Sequence, residues 1–329
     1  HFIVKPALNA EFIRLEQEQE TLREQELFAE QEVIAVLSRV INASLDEIHA
    51  AIDAVVRYDR ARACALLIRK YNLVRPCLDA MNPELQEGRF IPCEEECASM
   101  ELTYTPLTFS FKHNTAVLFG SNMGGKTVAL KTLLFFQLLA QCGFFVPAQA
   151  FATRVYKHIR YVGELYGERL TGLSGFGFEI WRFNSVWNDV DDGLIAFDEF
   201  ARTTGSHEAE ALLSAVIDAY RFKPSITSIF ATHFRGIERY DNVYYIKMKG
   251  LNREQAFACL DEHAPLKERL MSINKHMCYT VCLDTGTDPA SDALAIADML
   301  GTDPAILKKA DCIIRERNQT DGSVPCVSL

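Results

Sequence analysis

Eight consecutive residues, Gly120-Ser121-Asn122-Met123-Gly124-Gly125-Lys126-Thr127, follow the spacing G-x-x-x-x-G-K-[ST]. That spacing suits phosphate chemistry. Glycines let successive backbone amides converge on anionic oxygens, and a helix starting at the same point adds its partial positive charge. Lys126 is then expected to reach the β- and γ-phosphates of ATP, and the Thr127 hydroxyl to ligate Mg2+. A second group lies in Leu194-Ile195-Ala196-Phe197-Asp198-Glu199, where four apolar residues precede two acids. Such a segment is a buried strand that delivers carboxylates to its C-terminal edge, where open α/β sheets bind ligands. Asp198 is expected to hold magnesium through its water shell, and Glu199 to polarise the attacking water. A third β-rich run, 225–231, leads into Thr232-His233. His233 is thereby placed to hydrogen-bond a γ-phosphate.

The elements that must position these groups can be read around them. Thr115 to Phe119 is a short β-rich run, and an amphipathic helix is expected from Thr127 to about Cys142. The order strand, glycine loop, helix returns in weaker form downstream, which predicts an α/β fold with a P-loop sheet flanked by helices. Upstream the chain reads as helical. Leu27, Ile34, Leu37 and Ile41 recur at helical spacing. Ser44-Leu45-Asp46-Glu47 has the form of a capping box and predicts a second helix toward Lys70, with Ile48, Ile52 and Val55 on its inner face. Arg75-Pro76 ends that region, and 81–107 reads as a connector with short strands. The expected domains are a helical region over 1–82 and a nucleotide-binding domain over 83–329.

Composition narrows the function classes. About half of the 329 residues are apolar, enough for a substantial core. No run of about twenty apolar residues is present, so a membrane span is not expected. The formal charge of −10 argues against tight nucleic-acid binding by this chain alone, since phosphate-gripping domains carry a basic face. Ten cysteines scattered over a long chain point to reduced thiols and a cytoplasmic setting. Neither Cys93 with Cys97 nor His276 with Cys278 and Cys282 has the paired spacing of a zinc module. The chain opens on His1 rather than Met, as a fragment or a tagged protein does.

Several segments together resemble the ATPase domain of the MutS mismatch-repair family, within the ABC-type ATPase class. They are Ser121 to Thr127, Phe145-Val146-Pro147-Ala148, Ser174 to Glu179, Asp198-Glu199-Phe200-Ala201-Arg202-Thr203-Thr204 and Ala231-Thr232-His233-Phe234. The resemblance covers most of the chain, and Asn122-Met123-Gly124-Gly125-Lys126 is its most specific part. It implies that the helical region is the base of a lever and that 291–310 is the closing helical segment. It also implies a homodimer, or a dimer with a MutS-like partner, in which Ser174 reaches the partner's γ-phosphate. The implied activity is Mg2+-dependent ATP hydrolysis coupled to mismatch repair or another DNA transaction. The alternative is a stand-alone MutS-like ATPase that remodels a protein client such as a cobalamin-dependent aminomutase. Three positions depart from the family pattern: Ser121 replaces proline, Gly175 threonine and Thr203 glycine. Nothing corresponds to the family's mismatch-reading domain.

Overall fold

The computed structural model describes residues 9–121, 124–163, 175–259, 265–286 and 292–320. The chain forms two compact units, His1–Leu66 and Leu67–Leu329. In the first, helix α1 (Ala10–Ala43) starts where the Asn9 side chain accepts the Phe12 amide at 2.7 Å. Helix α2 (Leu45–Tyr71) follows after Ser44, whose carbonyl accepts the Ile48 amide. The expected inner face is not covered: Ile48, Ile52 and Val55 are exposed, and none of the described residues of α1 or α2 is buried. Helical spacing therefore marks an apolar stripe here without a described element packed upon it.

In the second unit the order begins with β1 (Glu84–Gly88), α3 (Ile91–Ser99), β2 (Leu107–Ser110), β3 (Thr115–Phe119), α4 (Lys126–Gln141), β4 (Ala150–Ala152) and β5 (His158–Val162). It continues with α5 (Gly175–Asp189), β6 (Gly193–Asp198), α6 (Ser206–Arg221), β7 (Ile226–Thr232) and β8 (Val243–Leu251). The described chain closes with α7 (Arg253–Ala258), α8 (Leu266–His276), β9 (Met277–Leu283), α9 (Ala293–Met299) and α10 (Pro304–Thr320). The acidic run 94–96, read as part of a loose connector, lies within α3, where Pro92 occupies the first turn that tolerates it. No described helix is long and apolar enough to cross a membrane.

The described strands form two sheets: a three-stranded one ordered β2-β1-β4 and a six-stranded one ordered β5-β6-β7-β3-β8-β9. All neighbours in the larger sheet are parallel except β8 with β9. Parallel strands are normally covered on both faces, and β3 and β7 are buried along their whole lengths. Alternation divides β3 between two cores. Ala116 and Leu118 pack with Leu130, Leu133 and Phe136 of α4, whereas Val117 and Phe119 pack with Leu213, Ile217 and Tyr220 of α6. Helices thus flank the sheet on both sides.

The entry to β3 is pinned by a single side chain. Asn114 Nδ2 donates toward the carbonyls of Tyr220, Lys223 and Ile226 at 3.2, 3.0 and 3.3 Å, and its own carbonyl accepts the Ser228 amide at 2.8 Å. This ties the turn after α6 to the strand that leads into the glycine loop. Asn114→Ala removes this shared donor, while Tyr220 O and Lys223 O keep the Lys223 and Ile226 amides, and should lower stability by about 1 kcal/mol. Urea unfolding of the variant against the parent measures the loss.

Candidate functional site

The eight-residue pattern occupies the turn between β3 and α4. The Gly120 amide donates to Thr232 O at 3.3 Å, and the Gly124 amide to Ser121 O at 2.9 Å. Asn122 and Met123 lie outside the described residues. Gly125 adopts φ +83°, a left-handed conformation, and a Cβ there would lie 2.8 Å from the Tyr279 ring. Glycine is required twice over, by conformation and by space. Helix α4 begins on the next residue, so its free N-terminal amides and positive dipole end open at the loop. Lys126 is 3% exposed. Its Nζ donates to Gly120 O at 2.8 Å and Ser121 O at 2.9 Å, and lies 3.1 Å from Glu199 Oε1.

Asp198 ends β6, which is separated from β3 by β7. In a regular strand, successive side chains point to opposite faces. Glu199 breaks that alternation with φ +53°, and Ala201 follows at φ +65°. Both carboxylates consequently meet the loop: Asp198 Oδ2 accepts from Thr127 Oγ1 at 2.7 Å, and Glu199 pairs with Lys126. A left-handed non-glycine residue costs about 1–3 kcal/mol, which the surrounding bonds offset. One such bond is the Glu199 amide to Ala231 O at 2.9 Å, from the β7 side. His233, just beyond β7, places Nδ1 3.6 Å from Glu199 Oε1. Lys126, Thr127, Asp198, Glu199 and His233 therefore share one edge of the sheet.

A cavity of about 370 Å³ continues from this edge. Lys126, Thr127 and Glu199 form one part of its wall, and Tyr104, Tyr279, Met248, Cys93 and Cys97 another. These aromatic and thiol groups carry no motif. Tyr279 lies within an ordinary β-rich run, and only the three-dimensional return of β9 and α3 brings them here. Burial pushes the Tyr104 and Tyr279 hydroxyls and the Cys93 thiol upward, Cys93 to about 11 with the neighbouring Cys97 adding to it. Cys93, Tyr104 and Tyr279 are therefore uncharged at ordinary pH.

The family model described as MutS domain V matches residues 116–316, more than half of the chain. The chain belongs to the MutS family. It is 24% identical to a DNA mismatch repair protein MutS of Streptococcus thermophilus over 251 residues, covering 74% of this chain and 30% of the relative. A second DNA mismatch repair protein MutS, from Streptococcus uberis, is 23% identical over 327 residues, covering 96% of this chain and 36% of the relative. Endonuclease MutS2 of Acetivibrio thermocellus is 29% identical over 216 residues, covering 64% of this chain and 26% of the relative. The chain thus spans about a third or less of the length of these relatives.

Gly175 and Thr203, two positions singled out in the sequence, lie against each other. A Cβ added to Gly175, at the start of α5, would sit 3.4 Å from Thr203 Cγ2 in the turn after β6. The glycine leaves room there for the branched residue. Ser174, the residue expected to act on a partner's site, lies outside the described residues. From α5, Arg182 donates to Gly163 O at 2.7 Å and so ties this helix to the end of β5.

Proposed function

We propose that this edge binds ATP with Mg2+ and hydrolyses the terminal phosphate. The observation that carries this reading is the convergence of Lys126, Thr127 and two consecutive carboxylates on a glycine loop that opens a helix. Amides of the 120–127 loop and Lys126 offset phosphate charge. Thr127 spends its proton on Asp198 and keeps its oxygen lone pairs for a metal. The donor set fits magnesium on a second count: Asp198 Oδ1 is buried and has no partner among the described residues. Hard oxygens of this kind suit that ion, bound through its waters. Magnesium supplies charge neutralisation on the transferring phosphoryl group. Glu199 takes the proton of the attacking water, held in place by Lys126 and His233, and His233 donates to the γ-phosphate. The cavity walled by Tyr104 and Tyr279 offers aromatic surface to the adenine.

The same reading assigns residues 83–329 to the ATPase domain and 1–82 to a lever that carries its state onward. Two copies, or one copy with a MutS-like partner, would face each other, with Ser174 acting in trans. The names of the relatives support coupling to DNA mismatch repair. The formal charge of −10 favours a second reading, in which the load is a protein client such as a cobalamin-dependent aminomutase. Free thiols at every described cysteine suit a reducing, cytoplasmic setting.

Lys126→Ala should abolish ATP binding, whereas Glu199→Gln should retain binding and lose turnover by about 100-fold or more. Equilibrium binding beside steady-state hydrolysis separates the two effects, and a Glu199→Gln protein that turns over at the parent rate removes the base role. Mixing Glu199→Gln with Ser174→Ala should restore activity, because half-mixed dimers place both lesions in one site and leave the other intact. With random exchange and independent sites, recovery reaches about a quarter of the parent rate. Subunit exchange without recovery means that Ser174 does not act in trans or that both sites must fire together. The chain alone should bind duplex DNA weakly and without preference for a mismatch. Fluorescence anisotropy over a salt series tests this, and tight, mismatch-selective binding discards the protein-client reading.

A further inference from the structure

Asp198 does not stand with Thr127 alone. On β5, one strand outward, the Tyr161 hydroxyl donates to Asp198 Oδ2 at 2.7 Å, the same oxygen that accepts from Thr127 at the same distance. β5 and β6 run parallel with Tyr161 opposite Ala196 and Val162 opposite Phe197, so the phenol reaches forward along the sheet to the strand end. Gly163 makes room for it. A Cβ there would lie 2.8 Å from the Tyr161 hydroxyl and 2.9 Å from Asp198 Cβ. Even the smallest side chain at position 163 would enter the space that the phenol and the aspartate share.

We propose that Tyr161 is a positioning residue that selects which oxygen of Asp198 faces the metal. A carboxylate oxygen has about two lone-pair sites, and two donors at 2.7 Å saturate Oδ2. The buried Oδ1, without a partner among the described residues, is left as the acceptor for the water shell of a divalent cation. With the phenol removed, the carboxylate can turn about its last bond and offer either oxygen, or a mixture of both. Tyr161 thus works as the outer partner of a ligating group, which fixes orientation without touching the metal. Neither the glycine-loop pattern nor the acidic pair points to this tyrosine, which lies in a different strand. The proposal rests on the reading of the site as a magnesium-nucleotide site.

The test uses Mn2+ as the probe, in the whole chain, with ADP present. Electron paramagnetic resonance gives the Mn2+ affinity, and ADP affinity in EDTA gives nucleotide binding without metal. Tyr161→Phe should weaken Mn2+ binding by about 10-fold and raise the half-saturating Mg2+ for hydrolysis by a similar factor. ADP affinity in EDTA should not change. Gly163→Ala, which displaces the phenol while keeping it in the chain, should shift Mn2+ affinity in the same direction. Equal Mn2+ affinity in the parent and Tyr161→Phe overturns the role of Tyr161 and leaves the nucleotide site standing. Equal losses of ADP binding in EDTA and of Mn2+ binding mean a general disruption and also overturn it. A parent that binds neither ADP nor Mn2+ removes the nucleotide reading itself.

Discussion

Burying an ammonium group costs several kcal/mol unless its protons find partners, and Lys126 is almost wholly removed from solvent. Two loop carbonyls and one carboxylate meet that demand. Much of the surrounding geometry follows from the need to bring those partners within about 3 Å. The loop must fold back far enough for Gly120 and Ser121 to present their carbonyls, and Gly120 must lack a Cβ to let the lysine stem pass. Glu199 must leave the strand alternation and accept a left-handed backbone to reach the same ammonium. Once it does, Asp198 falls opposite Thr127, and His233 closes on the other side of Glu199. A single desolvated charge links three strand ends and one helix start.

The parallel order of β6, β7 and β3 makes this possible. The strand carrying the acids is not the neighbour of the strand carrying the loop; β7 lies between them and supplies Thr232 and Ala231 as backbone acceptors to both sides. Gly120 and Glu199 each donate an amide to β7, so the two halves of the site take their spacing from one shared strand. The twofold burial of β7 holds that spacing against fluctuation, because both faces are packed.

Local pattern made the loop, α4, β6 and the consecutive acids readable, since each depends on residues close in sequence and on a strict chemical requirement. Thr115 to Phe119 was readable for the same reason, as an apolar run ending in glycine. Tyr161, Tyr104 and Tyr279 were not. Each is one aromatic residue in a β-rich or irregular stretch, and its approach to the site is set by sheet order and by the return of β9, which no local spacing encodes. The helical spacing of Ile48, Ile52 and Val55 was legible, but the inference of a covered face was not sound: periodicity shows that a stripe exists, whereas burial depends on a neighbour. The helix α3 is not legible locally because a proline and three glutamates resemble a turn, although proline is acceptable in a first helical turn.

The approach of Gly175 to Thr203 bears on how volume is shared at the start of α5. Two threonines facing each other there would crowd branched side chains at the start of α5, and two glycines would leave the helix start with extra backbone freedom and nothing to lean on. Glycine at 175 with threonine at 203 avoids both outcomes. In physical terms the bulk at this corner sits on the turn rather than on the helix. A branched side chain at 175 would have to share that corner with Thr203, so the two positions are constrained together rather than singly.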